Sequence, residues 1–303
     1  MADEVQDAHA GSIVVGVPNG EHTRAAIRAQ PEWLAQVPSD RRFPDARVLL
    51  TGCGTSFHVA QTGGEAVQAL ELVLAPRPDA ELLVLVSHEG GTPLTLEVAR
   101  GFSGPKWCIT GAQESPIAEL CDEVIVVTPE IEKSYCHTAS YTCGVAALAA
   151  LRGEDISWLP GAVEDALSDP FHASEHERWL VAGAGRDWAT AQEAVLKLRE
   201  GVFLPAEAHE TEQLLHGDLA AVDESVRAFV LEGEGRAAER ARGTVGALEA
   251  IGCDVTLVPT VHPVVDIVRF QLLTITLAEQ RGTDPDLIRR DDERWARARA
   301  AYD

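Results

Sequence analysis

The groups able to do chemistry fall into two sets: charged side chains in the second half of the chain and glycine–hydroxyl turns in the first. Glu193, Lys197 and Glu200 recur at i, i+4 and i+7, a spacing that puts all three on one face of a helix. By spacing alone they read as a solvated Glu–Lys pair worth about 0.2–0.5 kcal/mol. His216 precedes Gly217 in a stretch that reads as a loop, where a lone histidine is ordinarily solvated. A glutamate and a histidine converging on one opened sugar would instead supply the two proton-transfer groups that an isomerisation needs.

The first turn reads Gly52-Cys53-Gly54-Thr55-Ser56 and lies between a strand and a helix. Glycines there let backbone approach a ligand, the helix N-terminus offers unpaired N–H groups, and Thr55 and Ser56 add hydroxyls. The same pattern also suits a tight turn with a capped helix. The second turn, Ser87-His88-Glu89-Gly90-Gly91-Thr92, again joins hydroxyls and glycines to a helix start, with Pro93 suited to the first helical position. In a parallel sheet both turns sit at the C-terminal ends of strands, where such folds bind ligands.

Short apolar runs alternate with helical stretches, which predicts parallel sheets covered by helices, an α/β fold. Strands are expected at 47–51, 71–75, 82–87, 107–110 and 124–128, then at 179–182, 228–231 and 255–259. Helices are expected at 56–70, 93–100, 116–120 and 138–151, then at 188–202, 236–251 and 264–281. Two strand–helix junctions resemble each other. Gly52-Cys53-Gly54 with Phe57 and Ala60-Gln61 matches Gly183-Ala184-Gly185 with Trp188 and Ala191-Gln192. The pattern predicts duplication of one doubly wound, flavodoxin-like unit, joined through a Pro-, Gly-, Asp- and Ser-containing linker at 153–177. The expected organisation is an N-terminal extension with a helix over 1–29, one unit over 30–160 and a second over 161–303.

The 303 residues leave room for two cores. A formal charge of -23 repels phosphate backbones and argues against nucleic acid as a partner. No apolar run approaches the ~20 residues of a membrane span. The start of the chain lacks a basic, then apolar, leader pattern, so the expected location is the cytoplasm. The six cysteines form neither a C-x-x-C pair nor a cluster with zinc spacing, so no metal and no cofactor are expected. Only three lysines occur: Lys106, Lys133 and Lys197.

These segments, in this order, resemble the SIS (sugar isomerase) domain family. The likeness is strongest to the isomerase half of glucosamine-6-phosphate synthase and to stand-alone deglycases and amino-sugar phosphate deaminases. It covers about residues 45 to 290, through the two turns, Lys197-Leu198-Arg199-Glu200, Ala206-Glu207-Ala208, His216-Gly217, Gln271-Leu272-Leu273 and Gly282-Thr283-Asp284. The resemblance implies two tandem SIS domains. It also implies a substrate cradle of Cys53, Gly54, Thr55, Ser56, Ser87, His88, Glu89, Thr92 and Ser134. Glu200 then corresponds to the base that moves a proton between C1 and C2 through an enediol, Lys197 to a site-orienting lysine and His216 to the ring-opening residue. In relatives that histidine comes from the neighbouring subunit, which implies a homodimer with composite active sites.

Three departures shape the expected chemistry. The chain opens Met1-Ala2-Asp3, without the glutaminase cysteine of the synthase. The C-terminal region reads Arg289-Arg290-Asp291-Asp292, without the lysine that forms a Schiff base there. Glu89 stands where relatives place a phosphate-binding serine; a carboxylate about 4 Å from a dianion, at an effective dielectric of about 20, costs several kcal/mol. The relatives' Glu-x-x-x-x-Ser-Thr segment corresponds to 130–138, with an insertion after Glu130 and Lys133 as a surface residue. The expected activity is aldose–ketose isomerisation of an anionic sugar, phosphorylated or sulfonated as in sulfoquinovose. Deamination or deglycation of an amino-sugar or fructosamine phosphate, and non-catalytic sensing of a sugar phosphate, are the alternatives.

Overall fold

The computed structural model describes residues 19–302. The chain runs α1 (Glu21–Leu34), β1 (Val48–Thr51), α2 (Thr55–Gly63), α3 (Ala69–Leu74), β2 (Leu82–Val86), α4 (Pro93–Gly101), β3 (Lys106–Thr110), β4 (Glu123–Val126), α5 (Ala139–Leu151) and α6 (Leu159–Leu167). It continues β5 (Arg178–Gly183), α7 (Asp187–Val202), β6 (Ala206–Glu210), α8 (Thr211–Leu215), β7 (Val226–Leu231), α9 (Arg236–Ile251), β8 (Asp254–Val258), α10 (Pro263–Arg281) and α11 (Glu293–Ala300). Two parallel four-stranded sheets result, in the orders β1-β2-β3-β4 and β6-β5-β7-β8.

The alternation of side chains along each strand sorts them into layers. In β2, Leu82, Val84 and Val86 face one apolar cluster and Leu83 and Leu85 another, and all five are buried. The first of these clusters also takes Leu50, Ile109, Val181, Phe229 and Val258, so one helical layer fills the space between the two sheets. Helix α5 lies inside it with all thirteen residues buried. Its sequence, ASYTCGVAALAAL, has no polar stripe to leave outside. Outer helices α3 and α4 close the first sheet, and α9 closes the second. Full burial of each Leu or Val contributes about 1.5–3 kcal/mol.

The segment expected as a strand at 71–75 is helical. The Gln68 side chain accepts from Leu70 N–H to start α3, and Ala69 and Leu72, three apart, turn inward while Leu70 and Leu74 stay exposed. The edge of β1 is met instead by a single bridge, Leu50 to Ala66. The flavodoxin-like reversal of strand order is therefore complete only in the second sheet. There β6, a polar edge strand not foreseen, pairs with β5 from Trp179–Ala206 onward. The helix expected over 56–70 stops at Gly63, because Gly64 adopts φ 140°. The 116–120 segment makes only a short 3-10 turn at Ala118–Leu120. The stretch read as a linker carries α6, which buries Leu159 and Val163. Helix α1 crosses position 29, while residues 1–18 of the expected extension lie outside the described residues. No helix among the described residues is long and apolar enough to cross a membrane.

The two similar turns share one physical basis. A Cβ at Gly52 would lie 2.7 Å from the Ser56 carbonyl group, and one at Gly183 would lie 2.6 Å from the Asp187 oxygen. In both halves the strand end packs directly on the backbone of the next helix. Gly52→Ala and Gly183→Ala should each lower stability by about 1–3 kcal/mol in denaturant unfolding, by overpacking against backbone. Gly54→Ala has nothing within 4 Å but a φ of 55°, and should cost about 1–2 kcal/mol.

Candidate active site

The strand–helix turns of the first sheet and the last turn of α7 border one polar cavity of about 410 Å³. The β1–α2 turn contributes Cys53, Gly54, Thr55 and Ser56, the β2–α4 turn Ser87, His88, Glu89 and Thr92, and α7 contributes Glu200. Neither Gly54 nor Thr92 caps its helix with a side chain; Ser56 and Phe57 N–H turn back to the Cys53 and Gly54 carbonyls and Pro93 has no N–H, which leaves Thr55 N–H of α2 and Leu94 and Thr95 N–H of α4 as the unpaired first-turn donors. Ser87 Oγ and Thr92 Oγ1 lie 3.4 Å apart. Glu89 is exposed at the edge.

Behind Glu200 the face of α7 is buried, which corrects the expectation of a solvated ion pair. Glu193 and Lys197 have side chains 0% exposed, and Glu200 is 24% exposed. Lys197 Nζ lies 2.8 Å from Glu200 Oε2 and 3.2 Å from Glu193 Oε1. It also donates to the His137 carbonyl at 2.9 Å and to Thr55 Oγ1 at 3.3 Å. Glu193 accepts from Thr55 Oγ1 at 3.1 Å and meets His58 Nδ1 at 2.7 Å. Spacing could not separate the two situations, because the cover comes from parts of the chain far away in sequence: Thr55 and His58 of α2 and the His137 carbonyl.

Burial works against charge throughout this cluster, and pairing decides where charge survives. Burial opposes ionisation of Glu193, yet Lys197 and His58 outweigh it and hold the carboxyl below its ordinary value. Burial likewise opposes the Lys197 ammonium, and Glu193 and Glu200 raise it well above normal. One ammonium serves two carboxylates, and the balance at Glu200 goes the other way. Burial raises its pKa and Lys197 only partly offsets the shift. A carboxyl raised in this way holds a proton more readily than an ordinary one, which suits a group that takes a proton and returns it.

Two histidines form the opposite wall. Glu132 N–H donates to His88 Nε2 at 2.9 Å, which leaves the proton of the neutral ring on Nδ1. His137 meets His88 edge-on at 5.1 Å. Burial lowers both, His137 to about 4, so neither ring brings positive charge. The Glu132 carboxylate accepts from Thr138 N, Thr138 Oγ1 and Ser140 N at 2.7–2.9 Å and so starts α5. The family spacing therefore fits Glu132-x-x-x-x-His137-Thr138 without an insertion, and Lys133 is exposed.

Three expected site residues do not border the cavity: Lys197, which lies behind Glu200, and Ser134 and His216. Ser134 is buried in a knot: its Oγ lies 2.6 Å from Thr23 Oγ1 and accepts from Cys136 N, and Thr23 in turn bonds Asp286. That hydroxyl is used in joining α1, the segment before α5 and the C-terminal loop. His216 is 75% exposed and lies 3.2 Å from Glu212. Four lining residues went unforeseen: Tyr135, His137, Ile288 and Arg290. The Glu132 spacing could have pointed to His137; nothing local marks the others, of which Tyr135 lies on the segment before α5 and Ile288 and Arg290 arrive through the C-terminal loop. Among the described residues no group of three or more His, Cys, Asp or Glu is placed to hold a metal ion.

The fold of two parallel sheets around a shared helical layer is similar to that of solved phosphosugar isomerases and related proteins. The tagatose-6-phosphate ketose/aldose isomerase of Escherichia coli superposes with a TM-score of 0.74 at 17% identity, covering 89% of this chain and 95% of that one. The glucosamine-6-phosphate deaminase of Thermotoga maritima gives 0.72 at 22%, over 88% and 97%. In sequence, the glutamine–fructose-6-phosphate aminotransferase of Methanothermobacter thermautotrophicus is 25% identical over 293 residues, 79% of this chain and 50% of the relative. That of Thermus thermophilus is 26% identical over 303 residues with the same coverage. The chain thus spans about half the length of the curated relatives it matches. No family model matches the chain. The resemblance carried by the motifs holds in both sequence and structure.

Removing the ammonium from this cluster leaves two carboxylates without compensation. Lys197→Met should therefore cost about 3–5 kcal/mol, read as a lowered Tm and denaturation midpoint. Glu193 is held below its unfolded pKa, so its contribution is full above the unfolded value and is lost as pH falls through the folded one. The variant should lose that part of the acid-side decline in stability.

Proposed function

We propose that this protein is an aldose–ketose isomerase of a phosphorylated or otherwise anionic sugar, with Glu200 as the proton-transfer base. The observation that carries the reading is the position of that carboxyl. It is partly exposed to the cavity, raised in pKa by burial, and backed by an ammonium on the side away from the cavity. In this reading the carboxylate removes a proton from the carbon next to the carbonyl, giving an enediolate, and returns it to the neighbouring carbon. N–H groups of α2 and α4, with the hydroxyls of Thr55, Ser56, Ser87 and Thr92, hold the rest of the sugar. Lys197 orients Glu200 and ties it through Thr55 to the first turn.

We read the two sheets as tandem SIS domains over about 30–160 and 161–303. His216, which lies outside its own chain's cavity, would open the sugar ring in the site of a second copy. That arrangement makes the working unit a homodimer.

Incubation of hexose 6-phosphates, a sulfonated hexose and free hexoses in deuterated water should give solvent exchange at C2 with at least one anionic sugar. Exchange with none of them would refute the reading. Glu200→Gln should reduce exchange by roughly a thousandfold while leaving the unfolding midpoint within the range of the wild type. Because the Glu200 pKa is raised, kcat should fall on the acid side through a value above the ordinary 4.5. A glucosamine-6-phosphate deaminase among the structural neighbours gives a second reading, in which related proton transfers at this site expel an amine. Ammonia release from an amino-sugar phosphate, without aldose–ketose exchange, would select it.

A further inference from the structure

We propose that Arg290 is the residue that selects an anionic substrate, a reading that rests on the sugar site described above. The cavity presents carboxylates at Glu89 and Glu200, within a chain of formal charge -23. Such a surface repels an anion unless something local reverses the field. Among the described residues that border the cavity, Arg290 is the sole permanent cation. His88 accepts a backbone N–H at Nε2 and is packed edge-on against His137. Lys197 is fully buried and already engaged by Glu193, Glu200, Thr55 and the His137 carbonyl.

The chain holds Arg290 in place at a conformational cost. Ile288 and Arg289 adopt φ of 42° and 62°, left-handed values that cost side-chain-bearing residues about 1–2 kcal/mol each. Residues in such strain persist where their surroundings over-determine them, and they gather at ligand clamps. Here the clamp is visible on both sides of the strained pair. Asp286 accepts from His22 N, Thr23 N and Thr23 Oγ1, and its carbonyl accepts from Tyr135 N. The Arg289 guanidinium lies over the rings of Phe203 and Trp295 at 4.0 and 4.2 Å.

Beyond this anchor Arg290 rests on the Tyr135 ring at 3.9 Å, and both residues border the cavity. Its neighbours Arg294 and Arg297 pair with Asp292 and Glu293, whereas Arg290 meets no carboxylate among the described residues. The aromatic face fixes the plane of the guanidinium and leaves its N–H edge available. A planar fork of donors of this kind matches a phosphate or sulfonate oxygen pair.

The test compares wild type, Arg290→Gln and Arg290→Lys on one phosphorylated hexose and its unphosphorylated counterpart. C2 exchange gives kcat and KM, and isothermal calorimetry with Glu200→Gln added to each protein gives the Kd of fructose 6-phosphate without turnover. Arg290→Gln should raise KM and Kd for the phosphorylated sugar about 10- to 100-fold, leave its kcat within about threefold, and leave the neutral sugar unaffected. Arg290→Lys should recover part of the loss, and inorganic phosphate should compete less well against the Gln variant. An unchanged KM with normal exchange would overturn the role of Arg290 alone. So would an equal effect on the neutral sugar, or a loss confined to kcat. Binding that depends on Arg290 without any exchange would retain the proposal and overturn the isomerase reading. Absence of both binding and exchange in the folded wild type would overturn both.

Discussion

A single ammonium buried between two carboxylates organises this molecule. Lys197 has no exposure to solvent, so each of its donors has to find an acceptor inside the protein. It finds them on its own helix at Glu193 and Glu200, on the segment before α5 at the His137 carbonyl, and on the β1–α2 turn at Thr55. Three separate parts of the chain are thereby drawn to one point. That point lies directly behind the cavity. Because the desolvation of three charges opposes folding, the cluster is a poor source of stability compared with an apolar core of the same volume. What it achieves is position: a carboxyl with an unusual proton affinity held at a cavity wall.

The layered fold makes such a position reachable. Helix α7 starts at the end of β5 in the second sheet, while the glycine turns belong to the first. The helical layer between the sheets brings them together, with α5 wholly buried among α1, α2 and α10, and α7 packed on α2 and α10. Gly144 in α5 shows how close this packing is, since a Cβ there would lie 3.0 Å from Val59 of α2. The two polar walls of the cavity therefore come from opposite halves of the chain. The two similar turns are used asymmetrically: Cys53–Ser56 borders the cavity, whereas Gly183–Asp187 serves packing, with Asp187 bonded to Thr260.

Other features are arranged by the same competition between burial and pairing. Glu132 is buried yet accepts three donors at the start of α5, and so resolves the helix terminus and the loop in one contact. His88 is fixed as a neutral acceptor by a backbone N–H. The Arg289 guanidinium lies over two aromatic rings and, among the described residues, forms no ion pair with a carboxylate. Charge in the interior is retained only where a geometric role accompanies it.

Local pattern was enough for the α/β class, most strands and the two turns with Thr55, Ser56, Ser87 and Thr92, whereas Glu200 joined them only through the family resemblance. Alternating apolar runs and glycines with backbone on one side leave few other solutions. Pattern failed where a partner distant in sequence decides the outcome. Residues 71–75 are apolar enough for a strand, but the edge of β1 is met by Ala66 and a capped helix forms instead. The i, i+4, i+7 charges of α7 read identically in water and in a core, and only α2 and the segment before α5 cover them. Ser134 carries a hydroxyl in the expected region, yet the approach of Thr23 from α1 takes it. Arg290 reaches the cavity only because Asp286 and Arg289 anchor the C-terminal loop across it. Sequence sets which groups are available and how neighbours along the chain are spaced. Which of them lose water, and to whom, depends on contacts between residues far apart in the chain.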